Sequence, residues 1–245
     1  MAEGKATPPS SVESGRVKGM KKIPISELFY SLQGEGKWTG TPALFVRVWG
    51  CNLRCPQLPC DTPYSLPPSK PHRLMEVEAI WEWSLPFLSK KPILVLTGGE
   101  PLLYSHLLYR LVQLYPFPVL VETNGTIAPD FLRQPLWRRA EFVLSIKLSN
   151  SGEPAERRIK PSIIAQIGKL APASYFKFVV NPFRLEEQRE EIEEIRKYAP
   201  HLPVYLMPQG ATLSQLEEGS SRVAQFALRY GYRYSDRLQL RLGLK

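Results

Sequence analysis

All three cysteines of this 245-residue chain lie in one segment, Cys51-Asn52-Leu53-Arg54-Cys55-Pro56-Gln57-Leu58-Pro59-Cys60-Asp61-Thr62. A secreted disulfide framework spreads an even number of cysteines along a chain, whereas three clustered thiols favour metal ligation. A structural zinc site needs four ligands, and His72 lacks the spacing of a cysteine–histidine pair. An iron–sulfur cluster takes thiolate ligands, and three of them leave one of four irons open. Three buried thiols without metal are the alternative, although this polar, proline-containing segment is unusual for a core.

The flanking sequence carries a family resemblance. Four runs contribute to it: Glu27-Leu28-Phe29-Tyr30-Ser31-Leu32-Gln33-Gly34-Glu35-Gly36, Thr39-Gly40-Thr41-Pro42, Phe45-Val46-Arg47 and Gly50-Cys51-Asn52-Leu53-Arg54-Cys55. From Ile25 to Tyr64 the chain closely resembles the 7-carboxy-7-deazaguanine synthase family of radical S-adenosylmethionine (SAM) enzymes. These enzymes usually space their cysteines C-x3-C-x2-C, whereas the spacing here is C-x3-C-x4-C. A surface loop absorbs two extra residues at little cost.

The chain alternates two kinds of apolar pattern. Short runs rich in β-branched residues predict strands at Leu44–Val48, Ile93–Thr97, Val119–Thr123, Phe142–Ile146, Tyr175–Val180 and Val204–Met207. Stretches between them predict helices at Leu74–Leu88, Leu103–Leu114, Asp130–Arg138, Ser162–Lys169, Glu186–Tyr198 and Ser214–Tyr230. Such alternation gives a mostly parallel sheet, and six units are too few for a closed eight-stranded barrel. We therefore expect an α/β fold with an incomplete (β/α)6-type radical SAM barrel, as the resemblance also implies.

Composition bounds the remaining possibilities. With 43% hydrophobic residues the chain can bury one core, so we expect a disordered tail at residues 1–22 and a single domain at 23–245. No apolar run predicts a membrane span or a signal peptide, which favours a cytoplasmic protein. The net charge of +9 raises nucleic-acid binding as an alternative function. Because the basic residues are dispersed and no nucleic-acid motif accompanies them, we expect no specific nucleic-acid partner.

In parallel α/β folds the functional loops follow the carboxyl ends of the strands. One such loop is Thr97-Gly98-Gly99-Glu100-Pro101, where two glycines let the backbone approach a ligand closely. An ordinary strand-to-helix turn is the alternative. The run resembles the radical SAM motif that binds the methionine amino group of SAM. The resemblance assigns Gly98, Gly99 and Glu100 to the cofactor and Thr97 to the substrate.

Three further strand ends carry polar residues. Glu122 follows an apolar run that should place it at the sheet edge with little solvent, where it could accept N–H donors of a pterin. In the run Ser145-Ile146-Lys147-Leu148-Ser149-Asn150-Ser151-Gly152, Ser145 and Lys147 suit the ribose and carboxylate of SAM, unless this is simply a solvated polar loop. Gln209 is a weaker candidate for the adenine or ribose. We interpret six glutamates as the solvated face and N-terminal turns of a helix: Glu186, Glu187, Glu190, Glu191, Glu193 and Glu194.

Residues before and after the cysteines complete the expected site. Gln33, Gly34 and Glu35 offer an amide, a flexible backbone and a carboxylate that would let a loop fold closely over a flat pterin. Arg47 offers a planar fork for a substrate carboxylate, with a surface salt bridge as the alternative. Thr62 supplies a hydroxyl of the type that Mg²⁺ prefers, and the family resemblance implies magnesium there.

The resemblance implies a lyase that converts 6-carboxy-5,6,7,8-tetrahydropterin to 7-carboxy-7-deazaguanine with loss of ammonia, on the path to 7-deazapurines such as queuosine. It further implies a [4Fe–4S] cluster on Cys51, Cys55 and Cys60, with SAM and Mg²⁺ as the other cofactors. An electron donor such as flavodoxin or ferredoxin and a homodimeric state also belong to this expectation. A radical SAM activase, which makes a glycyl radical on a partner enzyme, is the closest alternative.

Overall fold

The computed structural model describes residues 21–58 and 60–244 of the chain. Its strands are β1 (Ile23–Leu32), β2 (Pro42–Val48), β3 (Arg73–Met75), β4 (Ile93–Gly98), β5 (Val119–Thr123), β6 (Glu141–Leu144), β7 (Tyr175–Val180), β8 (Val204–Pro208) and β9 (Arg233–Tyr234). Its α-helices are α1 (Val77–Ser84), α2 (Ser105–Leu114), α3 (Ala155–Arg158), α4 (Pro161–Leu170), α5 (Leu185–Arg196), α6 (Leu213–Tyr230) and α7 (Leu238–Leu242).

The strands form one sheet in the order β3-β1-β2-β4-β5-β6-β7-β8-β9. Every pairing from β2 through β9 is parallel, whereas β1 is antiparallel to both of its neighbours. Strands β3 and β9 stand at the two ends of this order, so the sheet of the described residues is open. The expected mixed α/β fold with a mostly parallel, incompletely closed sheet is confirmed.

Each strand predicted from sequence is present, but one predicted helix is wrong. Asp130–Arg138 forms a turn followed by a short 3-10 helix at Pro135–Arg139. Proline removes a backbone donor and disfavours a helical conformation at the residue before it, which breaks the apolar periodicity at this point. The stretch predicted as a helix from Leu74 begins instead as the edge strand β3, and its α-helix is limited to α1. The antiparallel strand β1 was not predicted.

The two faces of the sheet bury different clusters. The outer face packs against the helices, and in β7 it carries Phe176 and Phe178. The inner face holds a smaller apolar cluster that includes Phe45, Val95 and Tyr175. Farther along β7 the inner position is taken by Lys177, which lines a cavity. The apolar inner cluster therefore lies beneath a polar cavity.

The predicted tail at residues 1–22 lies outside the described residues except for its last two positions. The division into a tail and a single domain stays a prediction. No helix in the described ranges is long and apolar enough to span a membrane.

Candidate active site

A cavity of about 410 Å³ lies at the carboxyl ends of the parallel strands. Its lining includes most of the site residues that the sequence suggested: Glu35, Arg47, Cys51, Cys55, Cys60, Thr62, Thr97, Gly98, Gly99, Glu122, Ser145 and Lys147. An adjoining cavity of about 370 Å³ shares Cys55, Cys60 and Lys147 with it and is also lined by Gln209. Residues from separate strand ends thus meet at one place, and their individual roles stay predictions.

The three thiols border this cavity and form no disulfide among the described residues. The sulfur of Cys51 accepts a hydrogen bond from the Leu53 amide at 3.4 Å and lies 3.7 Å from the side-chain nitrogen of Asn124. Burial, together with the nearby carboxyl of Glu100, raises the pKa of Cys51 to about 11. Burial also raises the pKa of Cys55. The thiols must lose their protons to ligate a metal, so the positive charge of a metal would have to offset this effect.

The cysteine loop is anchored by the segment that follows β6. The buried carboxylate of Glu153 accepts hydrogen bonds from the backbone amides of Arg54 and Cys55. The amide of Gln57 donates to the carbonyl of Ser151 at 3.0 Å. Cys55 itself has a φ of +47°, a left-handed conformation that costs energy for a residue with a side chain. Glu153 therefore holds the loop where its backbone is least relaxed, a role that sequence reasoning missed.

The donor set can be compared with the two metal centres considered from sequence. No group of three or more His, Cys, Asp or Glu side chains in residues 21–58 and 60–244 is placed to hold a metal ion. A four-iron cluster binds each thiolate through a different iron, so its ligands need not converge on one ion. His72, the possible fourth zinc ligand, does not line the cavity. Three thiols around one cavity therefore fit an iron–sulfur cluster better than zinc.

The Gly-Gly turn packs directly against the start of the cysteine loop. The Gly99 amide donates to the Val48 carbonyl at 3.2 Å, and the Glu100 amide donates to the Gly50 carbonyl at 2.8 Å. A Cβ atom at Gly98 would lie 2.2 Å from the Val48 oxygen, and one at Gly99 would lie 1.9 Å from the Gly50 oxygen. Both glycines are therefore required for this approach.

Glu100 lies behind the cavity and is completely buried. Its carboxylate accepts hydrogen bonds from the backbone amides of Leu102 and Asn124 and from the hydroxyl of Thr123. Burial raises its pKa to about 7, although these hydrogen bonds oppose the shift. The side chain joins the ends of β4 and β5, and it is not among the residues that line the cavity.

Three charged side chains line the inner end of the cavity. Glu122 accepts hydrogen bonds from the side-chain amide of Gln33 at 3.2 Å and from the Thr97 hydroxyl at 2.8 Å. The Nζ of Lys177 lies 2.5 Å from Glu35 Oε2 and 3.7 Å from Glu122 Oε1. Lys177 was missed from sequence, although a lysine inside the apolar strand Tyr175–Val180 was a usable signal. We call Glu35, Glu122 and Lys177 the floor triad.

The Gln33–Gly36 loop reaches this triad from the end of the sheet opposite to the carboxyl ends of the parallel strands. Its Gly36 packs against the ring of Tyr175, the first residue of β7. The adjacent Lys37 and Trp38 side chains donate to the carboxylate of Glu141, the first residue of β6. The loop therefore enters near the amino ends of the parallel strands. The expectation that all site residues lie at the carboxyl edge of the sheet is therefore wrong for this loop, whereas its folding over a flat ligand stays a prediction.

Arg47 and Gly34, which were predicted to contact the substrate, each have a partner within the protein. Arg47 lines the cavity, and its Nε donates to Glu27 at 3.0 Å. Gly34 does not line the cavity; its carbonyl accepts a hydrogen bond from the amide of Leu238. Arg47 thus combines a position at the cavity with the salt bridge considered as its alternative role.

The loop that carries Ser145 and Lys147 is held by α5. The buried Arg158 donates to the carbonyl of Lys147 at 2.8 Å and lies 2.5 Å from the carboxylate of Glu191. Glu191 also accepts a hydrogen bond from the amide of Ser149 at 2.9 Å. The interpretation of the α5 glutamates as a solvated face is therefore wrong for Glu191, because its side chain is 18% exposed and anchors this loop.

The C-terminal segment closes one side of the cavity. The side chains of Arg237 and Gln239 both line it, and Gln239 donates to Glu35 at 3.0 Å. Arg237 is buried, and its Nε lies 3.8 Å from the same carboxylate. Sequence reasoning missed both residues because no local motif marks them.

Comparisons with known proteins agree on one family name. No protein-family model matches the chain. The 7-carboxy-7-deazaguanine synthase of Halobacterium salinarum is 39% identical over 236 residues, which cover 90% of each chain. The enzyme of that name from Rhodopirellula baltica is 35% identical and covers 89% of this chain and 85% of its own. The one from Hyperthermus butylicus is 36% identical, with coverages of 88% and 91%.

Solved structures share the fold. QueE from Escherichia coli superposes with a TM-score of 0.64 at 21% identity and covers 90% of this chain and 96% of its own. SuiB from Streptococcus suis gives a TM-score of 0.51 at 12% identity and covers 77% of this chain and 47% of its own.

Proposed function

This chain belongs to the 7-carboxy-7-deazaguanine synthase family, and on that premise we propose that its cavity binds 6-carboxy-5,6,7,8-tetrahydropterin and forms 7-carboxy-7-deazaguanine with loss of ammonia. It is a radical SAM lyase of 7-deazapurine biosynthesis. The observation that carries the proposal is the meeting of the cysteine loop, the Gly-Gly turn and the floor triad around one cavity.

The cysteine loop is the proposed cluster site. Cys51, Cys55 and Cys60 would hold the [4Fe–4S] cluster, and the adjoining Gly98–Gly99 backbone, Ser145, Lys147 and Gln209 would hold SAM. When bound, the cluster and SAM supply the one-electron chemistry that removes a hydrogen atom from the substrate. Glu100 would act indirectly: its buried side chain, which does not line the cavity, would hold the Gly98–Gly99 turn in place.

The floor triad and its neighbours would bind and orient the pterin. Ionised carboxylates accept hydrogen bonds only, so Glu35 and Glu122 suit the N–H donors at the amino edge of the ring. Gln33 and Thr97 fix Glu122 through its two oxygens. Arg47 at the cavity wall would attract the substrate carboxylate. The apolar inner cluster below these residues excludes water from that side.

Magnesium is proposed at Thr62. The Thr62 hydroxyl lies at the cavity wall, 3.5 Å from the sulfur of Cys60, where it can share a cation with substrate oxygens. Thr62→Val should abolish the stimulation of turnover by added Mg²⁺, whereas Thr62→Ser should keep it. Equal stimulation of both variants would contradict the assignment.

The remaining expectations concern the electron donor, the oligomeric state and the location. The conversion of the tetrahydropterin to product and ammonia is redox-neutral, but the cleavage of SAM starts with the transfer of one electron to the cluster, so a reducing partner is needed; flavodoxin or ferredoxin is proposed on the family resemblance. The homodimeric state and the cytoplasmic location stay predictions.

The test is anaerobic reconstitution with iron and sulfide, followed by turnover with SAM, dithionite, Mg²⁺ and the tetrahydropterin. Mass spectrometry should detect 7-carboxy-7-deazaguanine together with 5′-deoxyadenosine. Cys60→Ala should remain folded but inactive, with Ser69→Ala as a control outside the cavity lining. Cleavage of SAM with the pterin untouched would contradict the substrate assignment and favour the activase alternative.

A further inference from the structure

Lys177 is buried in the middle of β7 and faces the inside of the barrel. The residue is 5% exposed, and the flanking Phe176 and Phe178 face the helices instead. Burying a lysine in such a strand is costly unless the ammonium is paired. Its partners are Glu35 at 2.5 Å, from the loop between β1 and β2, and Glu122 at 3.7 Å, from β5.

The remaining carboxylate contacts are supplied mainly by neutral groups. Glu122 accepts from the Gln33 amide and the Thr97 hydroxyl, and Glu35 accepts from the Gln239 amide. An ammonium carries three donors, which allows Lys177 to contact both carboxylates at once. Without this cation, two nearby carboxylates in a cavity would repel each other.

Several charged or titratable groups face the triad. Within the triad, Lys177 lies on β7 and Glu122 on β5. The other groups that face it are Tyr175, also from β7, and Arg237, from the segment before α7. Burial alone would raise the pKa of Glu35, but Lys177 and Arg237 lower it well below its ordinary value. Burial alone would lower the pKa of Lys177, but Glu35 and Glu122 raise it above its ordinary value. Glu35 and Lys177 therefore stay ionised across neutral pH.

We propose that Lys177 is a positioning residue that holds Glu35 and Glu122 as two carboxylates at a fixed separation, so that together they select a heterocycle with adjacent N–H donors. This rests on the proposed function, in which that heterocycle is the pterin. The 2-amino group and ring N–H of a pterin form such an edge, whereas a lumazine has a carbonyl in place of the amino group. A carbonyl facing these carboxylates would be rejected.

The test compares the binding of 6-carboxypterin and 6-carboxylumazine to the reconstituted enzyme by equilibrium titration, which needs no turnover. The wild-type enzyme should prefer the pterin by about 100-fold or more, because a site built for hydrogen-bond donors strongly rejects an analogue lacking one. In Lys177→Met the preference should fall to about tenfold or less, because the pair is no longer held in place. Lys177→Arg, which keeps the positive charge, should restore most of it.

A pH profile separates positioning from a general loss of structure. Without the ammonium, burial should raise the pKa of Glu35, so Lys177→Met should bind 6-carboxypterin progressively more weakly as the pH falls from 8 to 5. Wild-type binding should show no such contribution from Glu35 in this range. Iron content and circular dichroism check that each variant is folded. If Lys177→Met does not fold, Lys177→Gln, which removes the charge but keeps a polar side chain, gives the same test of the preference.

The outcomes separate the two proposals. If the wild-type enzyme prefers the pterin and Lys177→Met keeps the same preference and pH profile, or Lys177→Gln keeps the same preference, the role of Lys177 is overturned and the enzyme assignment stays intact. A wild-type enzyme that cleaves SAM but does not bind 6-carboxypterin would overturn both.

Discussion

The Nη2 atom of Arg237 lies 3.2 Å from the Oδ2 atom of Asp61. Asp61 directly follows the last cysteine, whereas Arg237 lies between β9 and α7. The same guanidinium donates to the Gly210 carbonyl at 2.9 Å and lies 3.8 Å from Glu35. The C-terminal segment is thereby joined to both the cysteine loop and the floor triad.

Arg237→Met should loosen this junction. Because the variant leaves Glu35 with one cation fewer, we expect turnover to fall by about 30-fold, equivalent to about 2 kcal/mol. Amide hydrogen exchange should become faster in residues 235–244 and in the cysteine loop. Arg229→Met is the matched control, because the Arg229 side chain is 70% exposed. Unchanged exchange in both segments would contradict a joining role.

Gly99→Ala should separate the Gly-Gly turn from the cysteine loop. The new Cβ would lie 1.9 Å from the Gly50 oxygen and 3.0 Å from the Cys51 nitrogen, so the backbone before the first cysteine must shift. We expect less iron and sulfide per chain after reconstitution. Gly40→Ala provides the control: Gly40, unlike Gly99, has a positive φ, and a Cβ there has nothing within 4 Å. That control should lose about 1 kcal/mol of stability from the strained φ and keep its iron.

Glu153→Ala should destabilise the middle of the cysteine loop. The variant removes the acceptor for two backbone amides next to Cys55, and each buried unsatisfied donor costs about 1–3 kcal/mol. The expected result is a lower iron content and easier loss of the cluster to a chelator, followed by its absorbance. Glu153→Gln, which keeps an acceptor oxygen, should be intermediate. Chelation rates equal to wild type in both variants would argue against this anchor.

Stability should depend on acid through Glu35. Burial alone would raise its pKa, but Lys177 and Arg237 lower it from the ordinary value of 4.5 to about 2. A lowered folded pKa means that ionised Glu35 contributes stability that is present above pH 4.5 and is lost as the pH falls toward 2. The difference in unfolding free energy between wild type and Glu35→Gln should therefore be constant above about pH 5.5 and shrink below 4.5, by an amount on the order of 3 kcal/mol.

Urea unfolding at a series of pH values measures this difference. Glu194→Gln is the control, because its side chain is 70% exposed and its contribution should be small throughout. A wild-type-to-Glu35→Gln difference that stays constant from pH 6 to 2.5 would show that the floor triad does not hold Glu35 ionised.

Local patterns were sufficient for much of the fold. The strand from Val119 to Thr123 is a short apolar run between turns, and its boundaries agree with the prediction. The error at Asp130–Arg138 arose because an apolar periodicity was given more weight than Pro135. Strand β1 escaped detection because it carries a bulge between Ile25 and Glu27, which interrupts the alternation expected of a strand.

The sequence by itself determined the family, the alternation of strands and helices, the three clustered thiols and the Gly-Gly turn. Each is encoded by residues close together in the chain. Only the tertiary structure decided that the Gln33–Gly36 loop brings Glu35 into the floor triad, that Lys177 contacts two carboxylates and that Arg237 reaches Asp61. Glu35 and Lys177 are 142 residues apart, so no local pattern relates them. Their contact exists because the sheet brings β7 beside a loop that enters from the opposite side of the barrel.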